Sequence, residues 1–404
     1  MLALLLPRLS ADSPAPTPPN TAAFAPAVQS INAFGVDVLN KAVPADNAIF
    51  SPYSIQMGLV MTYAGAAGET RKQMAKTLHY GDDAVASFVA LSRELKALPA
   101  ALPNGIVLLD LTIANRLFAQ KGYDFLPDYL SAMKRDFDAP VEQVDFTKSP
   151  ADVAKTLNDW VVEQTNDRIR DMVSPDAIPA NTRLVLANAV YFSAWWHSTF
   201  SETLTVPAPF TLLDGKTRDV PTMHQETENF EFCETENFLA VGMPYTKDYF
   251  RFVAILPKGD FEKFTFTADT LKQLDKLQRH DWKMIFSMPK FRIEPPTLAL
   301  ADFLKAAGMP SAFNKPTGSA DFSGIAPRKA EEYLYISAVL HKAFIDVNEK
   351  GTEAAAGIKA FTGGWGRREK EPEPRIVKLD RPFYFTVQHR STGACLFLGR
   401  LVEP

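Results

Sequence analysis

The order of the predicted elements indicates an α+β fold in one large domain. Apolar residues at helical spacing dominate the first part of the chain, whereas short strand-like runs broken by Gly and Pro dominate residues 210–295. The two patterns do not alternate regularly, which argues against a doubly wound parallel sheet. The 404 residues, of which 46% are hydrophobic, show no internal repeat and no interior linker, so one large core is expected.

The first residues predict a tail. Residues 1–6 are apolar, but the run is shorter than a signal-peptide core and lacks a basic start, so it resembles a signal remnant or a mis-set start. Residues 10–26 are rich in Pro, Ala, Ser and Thr, as linkers are. We therefore expect a disordered or targeting tail over 1–27 and a single folded domain over 28–404. This start favours an extracellular or periplasmic location and leaves a cytoplasmic one open.

Several helices are predicted in the first 165 residues. The first one ends at Pro44 and has its apolar residues at helical spacing: Val28, Ile31, Val38, Leu39 and Ala42. Ser54 is expected to cap the next helix, and a further short helix runs through Met74. Ser149 and Pro150 supply a cap and a first-turn proline for another.

Strands are predicted from alternating or continuous apolar runs. Residues 109–117 alternate, and residues 183–192 form an almost continuous apolar run around one amide, Asn188, as in a central strand covered on both faces. A helix is expected over 298–307, ended by Gly308. Further strands are predicted at 250–257, 283–290, 333–347 and 383–402.

Charge and cysteine content exclude several partners. The formal charge is −4, from 43 basic and 47 acidic residues, so neither nucleic acid, an anionic membrane nor a heparin-like polymer is indicated as a partner. After residue 6 no run reaches the ~18 apolar residues of a membrane span. Cys233 and Cys395 are too few for a disulfide framework and are interpreted as buried thiols.

Catalytic and metal-binding motifs are absent from the sequence. The chain has no G-x-S-x-G elbow, no H-E-x-x-H, no C-x-x-C and no phosphate-binding loop. Its histidines lie at spacings that suit no metal site: His79, His197, His224, His280, His341 and His389. A triad assembled only in space stays open. We expect no enzyme activity, no metal and no cofactor.

An unusual stretch lies near the end of the chain, at residues 349–370. The alternate positions Thr352, Ala354, Ala356, Ile358, Ala360 and Thr362 are small or uncharged, which is the period-two pattern of a strand with one face buried. The stretch then runs into Gly-Gly, an isolated Trp, two Arg and a Glu/Lys/Pro-rich segment, which is typical of an exposed loop. A short helix is the alternative, since Glu-Ala-Ala-Ala at 353–356 is good helix material.

Residues 348–357, Asn-Glu-Lys-Gly-Thr-Glu-Ala-Ala-Ala-Gly, closely resemble the reactive-loop hinge of serpins, the serine protease inhibitors. Seven other segments resemble serpin landmarks in serpin order: 47–55, 158–161, 186–196, 287–291, 341–344, 381–385 and 396–400. The resemblance extends from about residue 28 to the C-terminus. It implies three β-sheets with eight to nine helices and an exposed reactive-centre loop at about 349–380.

The resemblance also implies site residues. The hinge corresponds to Glu349, Gly351, Thr352, Ala354, Ala355, Ala356 and Gly357. A polar cluster beneath the central sheet, called the shutter, corresponds to Ser51, Ser54, Asn188 and His341. Trp196 matches the aromatic residue of the breach, the point at the top of the sheet where insertion begins. For a buried histidine in an apolar strand, a role in hydrogen bonding is the default interpretation.

Two bonds compete as the bait for a protease. Family spacing from Gly351 places the cleaved bond at Trp365–Gly366, which suits a chymotrypsin-like protease, whereas Arg367–Arg368 would attract trypsin-like or subtilisin-like proteases. The loop has about six extra residues before Arg381 relative to the common family pattern, so both bonds stay open.

By resemblance the expected function is suicide inhibition of a serine endopeptidase. In that mechanism the loop is cleaved, the protease is trapped as an acyl-enzyme and the loop inserts into the central sheet. A monomer whose partner is the target protease is expected. A non-inhibitory binding or chaperone-like protein of the same fold, and a cross-class inhibitor of cysteine proteases, are the alternatives.

Overall fold

The computed structural model describes residues 21–98, 109–329, 332–352 and 372–404. These ranges contain eight α-helices, α1–α8 in chain order: Thr21–Lys41, Pro52–Ala64, Gly68–Thr77, Ala84–Lys96, Pro127–Ala132, Pro150–Gln164, Ala268–Gln273 and Ala301–Ala307. Strands dominate after residue 184. The predicted α+β class is thereby confirmed.

The strands, numbered along the chain, form three sheets. The central sheet contains β2 Leu109–Gln120, β3 Val141–Val144, β4 Leu184–Trp195, β12 Phe291–Ile293, β13 Leu298–Ala299, β14 Ile336–Ala343, β15 Ile345–Val347 and β16 Gly351–Thr352. The second contains β1 Ala48–Phe50, β7 Glu231–Glu234, β8 Phe238–Pro244, β9 Phe250–Pro257, β10 Gln278–Arg279, β18 Phe383–His389 and β19 Cys395–Leu401. The smallest contains β5 Val206–Thr211, β6 Thr217–Thr227, β11 Met284–Pro289 and β17 Arg375–Lys378, in the order β17-β11-β6-β5.

Strand β4 lies in the middle of the central sheet. Along one edge it pairs antiparallel with β2 over almost its whole length. Its other edge is divided between two partners. β14 pairs with it in parallel from Leu184 to Val190, and β16 pairs with it antiparallel at Ala194 and Trp195. The boundary between these partners is where the candidate site lies.

Both faces of the central sheet are covered. The larger apolar cluster lies between this sheet, the second sheet and helices α1, α2 and α4. A smaller cluster packs α6 on the opposite face, where Trp160 meets Phe118 edge to face. This double burial explains why residues 183–192 read as a continuous apolar run, and the prediction of a central strand is confirmed.

Three local predictions need correction. Helix α1 begins at Thr21, inside the predicted 1–27 tail, and Phe24 and Ala27 are buried. Helix α2 is capped by Ser51, whose side chain accepts from the Ser54 amide, so Ser54 is not the cap, because Pro52 already occupies the first helical turn. Residues 298–299 form β13 and α8 begins only at Ala301.

Other predictions hold, with one exception. Gly308 ends α8 with a left-handed φ of 122°, and Pro150 lies in the first turn of α6. The predicted Ser149 cap is wrong, because the Ser149 side chain makes no capping hydrogen bond. Cys233 and Cys395 are buried free thiols, as expected. Burial raises their pKa values to about 11 and about 12. Among the described helices α1 alone has the length and apolar composition of a membrane span, and half of that span is buried in the core.

Candidate functional site

The predicted hinge starts in a tight turn at the top of the central sheet. The turn joins β15 to β16, with Val347 opposite Thr352 and the Asn348 amide donating to the Gly351 carbonyl at 3.0 Å. Glu349, Gly351 and Thr352 of the predicted hinge therefore form one β-hairpin. The other predicted hinge residues, Ala354, Ala355, Ala356 and Gly357, and the candidate bait residues Trp365, Gly366, Arg367 and Arg368, lie outside the described residues.

Gly351 is placed where no side chain fits. A Cβ at this position would lie 2.0 Å from the carbonyl oxygen of Ala194 and 2.8 Å from the Cα of Trp195. The next residue, Thr352, is 1% exposed, and its hydroxyl lies 2.6 Å from the Tyr245 hydroxyl. The chain thus already enters the sheet between β15 and β4 at this level.

Trp196 anchors that turn from the adjoining strand. Its ring stacks on Tyr245 at 4.6 Å between centroids, and its Nε1 donates to the Asn348 carbonyl at 2.8 Å. Its backbone amide donates to the Lys350 carbonyl at 2.9 Å. The side chain is buried. Its assignment to the breach, which rests on the family resemblance, stays a prediction.

Glu349 anchors the turn through an ion pair and a hydrogen bond. Its carboxylate is buried, receives a hydrogen bond from the Thr205 hydroxyl at 2.8 Å and pairs with the Lys290 ammonium at 2.9 Å. Burial by itself raises the pKa of a carboxyl group, but the Lys290 and Thr205 contacts outweigh it, so the pKa of Glu349 lies below its usual value. The side chain is therefore ionised at neutral pH.

A row of polar side chains crosses the middle of the sheet. Asn115 on β2, Asn188 on β4 and His341 on β14 are register partners on three adjacent strands. Asn188 donates through Nδ2 to Asn115 and accepts through Oδ1 from His341 Nδ1 at 2.5 Å. The His341–Asn188 bond spans the two strands between which an inserted strand would have to pass.

The first residues of α2 and its cap make hydrogen bonds to this row of polar side chains. The Ser51 amide donates to His341 Nε2 at 3.0 Å, and Asn188 Nδ2 also donates to the Ser54 carbonyl at 2.5 Å. Because Nε2 accepts a hydrogen bond, the proton of the neutral ring lies on Nδ1. Burial lowers the pKa of His341 to about 3, which the hydrogen bond to Asn188 only partly opposes. The four predicted shutter residues therefore come together around a neutral imidazole.

Two residues of the site were missed in the sequence. Asn115 is a polar residue in the predicted strand 109–117 and could have been suspected by analogy with Asn188, but the register that aligns the two amides is not readable from one strand. Tyr245, which contacts both Trp196 and Thr352, follows β8 and carries no motif. Its burial raises its pKa far above the usual range, so its hydroxyl stays protonated.

The chemistry of this region is that of hydrogen bonding and packing. Within the described ranges no group of three or more His, Cys, Asp or Glu side chains could hold a metal ion. His341 uses both ring nitrogens in the polar row. The arrangement links β4 and β14 through one buried hydrogen bond, from His341 to Asn188.

The fold and site together define a class: a three-sheet protein in which the hairpin from β15 to β16 enters the top of the central sheet beside β4. A family model described as Serpin (serine protease inhibitor) matches residues 29–404. The chain is 39% identical over 383 residues to a serpin-like protein of Thermococcus kodakarensis, covering 94% of this chain and 86% of the relative. It therefore belongs to the serpin family, as the landmark segments predict.

Two further similarities agree. A leukocyte elastase inhibitor of Xenopus laevis is 32% identical over 376 residues, covering 91% of this chain and 95% of the relative. The crystal structure of the thermophilic serpin tengpin in its native state superposes with a TM-score of 0.79 at 28% identity, covering 93% and 94% of the two chains. The predicted serpin fold is thereby confirmed.

Proposed function

We propose that this protein inhibits serine endopeptidases as a suicide substrate. The serine hydroxyl of the protease attacks the bait bond, the new amino terminus leaves, and the acyl-enzyme ester stays attached to the upstream part of the loop. Residues after Thr352 then insert between β4 and β14 before water hydrolyses the ester. The similarity to a leukocyte elastase inhibitor supports inhibition of this kind of protease.

One observation carries the proposal. In the middle of the central sheet β4 pairs directly with β14, whereas at the top of the sheet β16 already pairs with β4. Gly351 and Thr352 pair with Trp195 and Ala194 of β4, while a few residues lower β14 pairs directly with β4. A strand that continued β16 beyond Thr352 would therefore run along the boundary between β4 and β14. An inserted strand from Thr352 to Trp365 would run roughly 45 Å at ~3.3 Å per residue.

Insertion would replace one pair of hydrogen-bonded strands, β4 and β14, by two pairs, because the new strand would bond to both. The parallel pairing of β4 with β14 is lost, and the inserted strand, which continues the direction of β16, is antiparallel to both neighbours. Antiparallel pairing is slightly more stable per residue than parallel pairing, and the sheet gains a strand. The inward positions Thr352, Ala354, Ala356, Ile358, Ala360 and Thr362 carry no charge, so insertion would bury no unpaired charge on that face of the sheet.

The test is incubation with chymotrypsin, trypsin and subtilisin, followed by a denaturing gel. A covalent complex that survives SDS supports the proposal, and mass spectrometry of the released fragment identifies the bait bond. Thr352→Arg is the matched variant: a charged side chain at this buried position would stall insertion and turn the inhibitor into a substrate. Complete cleavage of the wild-type protein with full protease activity would contradict the mechanism, and a complex with papain would extend it to cysteine proteases.

Cleavage of the loop supplies a second readout. If the uncleaved fold is kinetically trapped, insertion after cleavage moves it to a lower free energy and raises the melting temperature. Scanning calorimetry before and after proteolysis measures this change. Equal melting curves would favour a non-inhibitory binding or chaperone-like role.

A further inference from the structure

The turn between β8 and β9, residues 245–249, has a strained backbone and is called the β8–β9 turn below. Lys247 and Asp248 have left-handed φ values of 72° and 62°. In that region the Cβ lies too close to the following carbonyl oxygen, so Gly enters it freely, Asp tolerates it and Lys does so only at a cost. Such a conformation persists where surrounding contacts hold it, and it is concentrated at functional sites. The contacts of the β8–β9 turn therefore indicate what it positions.

One side of the β8–β9 turn binds the end of the central strand β4. The Thr246 amide donates to the Trp195 carbonyl at 2.7 Å, and its hydroxyl donates to the Trp195 and Trp196 carbonyls at 3.1 and 3.2 Å. Tyr245 adds its stack on Trp196 and its hydroxyl contact with Thr352. Trp195 is also the residue of β4 at which β16 begins its pairing. The turn thus fixes the strand end against which the hinge is paired.

The other side of the β8–β9 turn is bound by a residue from a distant part of the chain. The Asp248 carboxylate pairs with Arg390, which follows β18, and the Arg390 amide donates to the Tyr249 carbonyl at 2.8 Å. Arg390 also pairs with the buried carboxylate of Glu231, which lies 3.0 Å from the Arg251 guanidinium. Glu231 therefore binds two guanidinium groups, and one of them extends to the turn.

A glycine makes room for this row of charges. β8 lies between β7 and β9, and Gly242 of β8 is the register partner of Glu231. A Cβ at Gly242 would lie 2.9 Å from Glu231 Oε2, so the carboxylate reaches across β8 to Arg251 only because that side chain is missing. A buried carboxylate is costly unless it is well paired. Arg390 is thus fixed by a buried partner before it binds the exposed turn.

We propose that Arg390 is a positioning residue for the hinge and that it acts through the β8–β9 turn. Its ion pair with Asp248 holds the left-handed conformation, which keeps Thr246 and Tyr245 against the end of β4. Without that ion pair the turn relaxes, and the hinge hairpin leaves the sheet more often. Docking of the hinge is measured without a protease, so the inference stands apart from the proposed function. Its consequence for inhibition rests on that function.

Hydrogen exchange of the Trp196 amide measures how often the hinge turn leaves β4, because that amide donates to the Lys350 carbonyl. Asp248→Asn keeps a side chain that tolerates left-handed φ and removes the ion pair. We expect the Trp196 amide to exchange about threefold faster in this variant. Asp138→Asn is the matched control, since Asp138 also has a left-handed φ, of 56°, and pairs with Lys96 at 3.3 Å. It should leave the exchange rate unchanged.

A second substitution separates strain from charge. Lys247→Gly removes the Cβ that is unfavourable at a φ of 72°, so the turn no longer depends on the ion pair. Adding it to Asp248→Asn should return the Trp196 exchange rate to the wild-type value or below. Arg390→Gln should accelerate exchange at least as much as Asp248→Asn. Equal rates for wild type and Asp248→Asn, an equal increase in the control, or failure of the rescue would each overturn the inference.

Inhibition measured on the same variants distinguishes this inference from the proposed function. Asp248→Asn should need more inhibitor per inactivated protease than the wild-type protein, because its hinge is in the sheet less often when the loop is cleaved. A change in Trp196 exchange without a covalent complex from active chymotrypsin, trypsin or subtilisin would overturn the proposed function and leave the inference standing. Covalent complexes together with equal exchange rates in wild type and Asp248→Asn would overturn the inference alone.

Discussion

The top and the middle of the seam beside β4 are held in opposite ways. At the top, the contacts bind the hinge into the sheet: Trp196 donates to the Asn348 carbonyl, and Thr352 meets Tyr245. In the middle, the contacts bind the two strands to each other, through the bond from His341 to Asn188. In the proposed mechanism the first region would favour the entry of a strand and the second would oppose it.

This difference indicates where the barrier to the proposed insertion would lie. Nothing further needs to break for Gly351 and Thr352 to join the sheet, because they already pair with β4. For the next residues to follow, His341 must separate from Asn188, and both then need other hydrogen-bond partners, since unpaired buried polar groups cost about 1–3 kcal/mol each. In the proposed mechanism the polar row is therefore the element that would keep the uncleaved sheet closed.

Removing His341 should have the largest effect. His341→Ala leaves the Ser51 amide without its acceptor, Asn188 without its donor, and a cavity between β14 and α2. We expect the urea midpoint of the uncleaved protein to fall by an amount that corresponds to about 3 kcal/mol. His197→Ala, at an exposed position, is the control and should change little. A loss as small as that of the control would mean that the polar row does not hold the seam.

Adding a methyl group at the top of the seam should have the next largest effect. Gly351→Ala places a Cβ against the Ala194 carbonyl, which belongs to the backbone of the central strand and cannot move aside easily. We expect β16 to leave the sheet, with a destabilisation of about 2 kcal/mol and loss of hydrogen-exchange protection at Thr352. Gly81→Ala, where nothing lies within 4 Å of the added Cβ, should leave that protection intact.

The residues of this site that lie in recognisable local sequence patterns could be predicted, whereas those placed by contacts between distant segments could not. Ser51, Asn188 and His341 lie in segments with family-like sequences, and Thr352 belongs to a period-two pattern, so all were found in the sequence. Asn115 and Tyr245 were not, because their roles depend on strand register and on packing between sheets, which involve residues far apart in the chain. The Ser54 cap was misassigned for a local reason: Ser51 and Ser54 are both good caps, and Pro52 decides between them.

Acidification should loosen the middle of the seam before the top. The pKa of His341 is about 3 in the folded protein and 6.5 when unperturbed, so the unfolded state takes up the proton first as the pH falls below about 6.5. Stability is fully present above that pH and decreases by up to about 1.4 kcal/mol per pH unit below it. His389, whose pKa burial lowers to about 4, contributes in the same range.

The contribution of His341 to the pH dependence of stability is obtained by comparing the wild-type protein with a variant that lacks the imidazole. The urea midpoint of His341→Gln should change less between pH 6.5 and pH 5 than that of the wild-type protein, because His389 is present in both and its contribution cancels. Parallel curves for the two proteins would assign the acid sensitivity to other groups.

The smallest effect is expected from the charge that anchors the turn. Glu349→Gln keeps a hydrogen-bond acceptor for the Thr205 hydroxyl but loses the ion pair with Lys290, whose side chain is 39% exposed, so solvent screens part of the interaction. We expect a loss of about 1 kcal/mol at neutral pH. Because the pKa of Glu349 is lowered, its contribution is present above the unperturbed value of 4.5 and is lost as the pH falls below it.

The control for this variant removes a second ion pair made by the same turn. Glu202→Gln removes the exposed partner of Lys350 at 3.6 Å, and an ion pair so accessible to water should contribute almost nothing. Comparison of the two variants at pH 7 and pH 4 therefore separates the buried carboxylate from surface charge. If Glu349→Gln lost no more stability at pH 7 than Glu202→Gln, the turn would be held by Trp196 and the backbone pairing of Gly351 alone, and the charge beneath it would not contribute to keeping the hinge in the sheet.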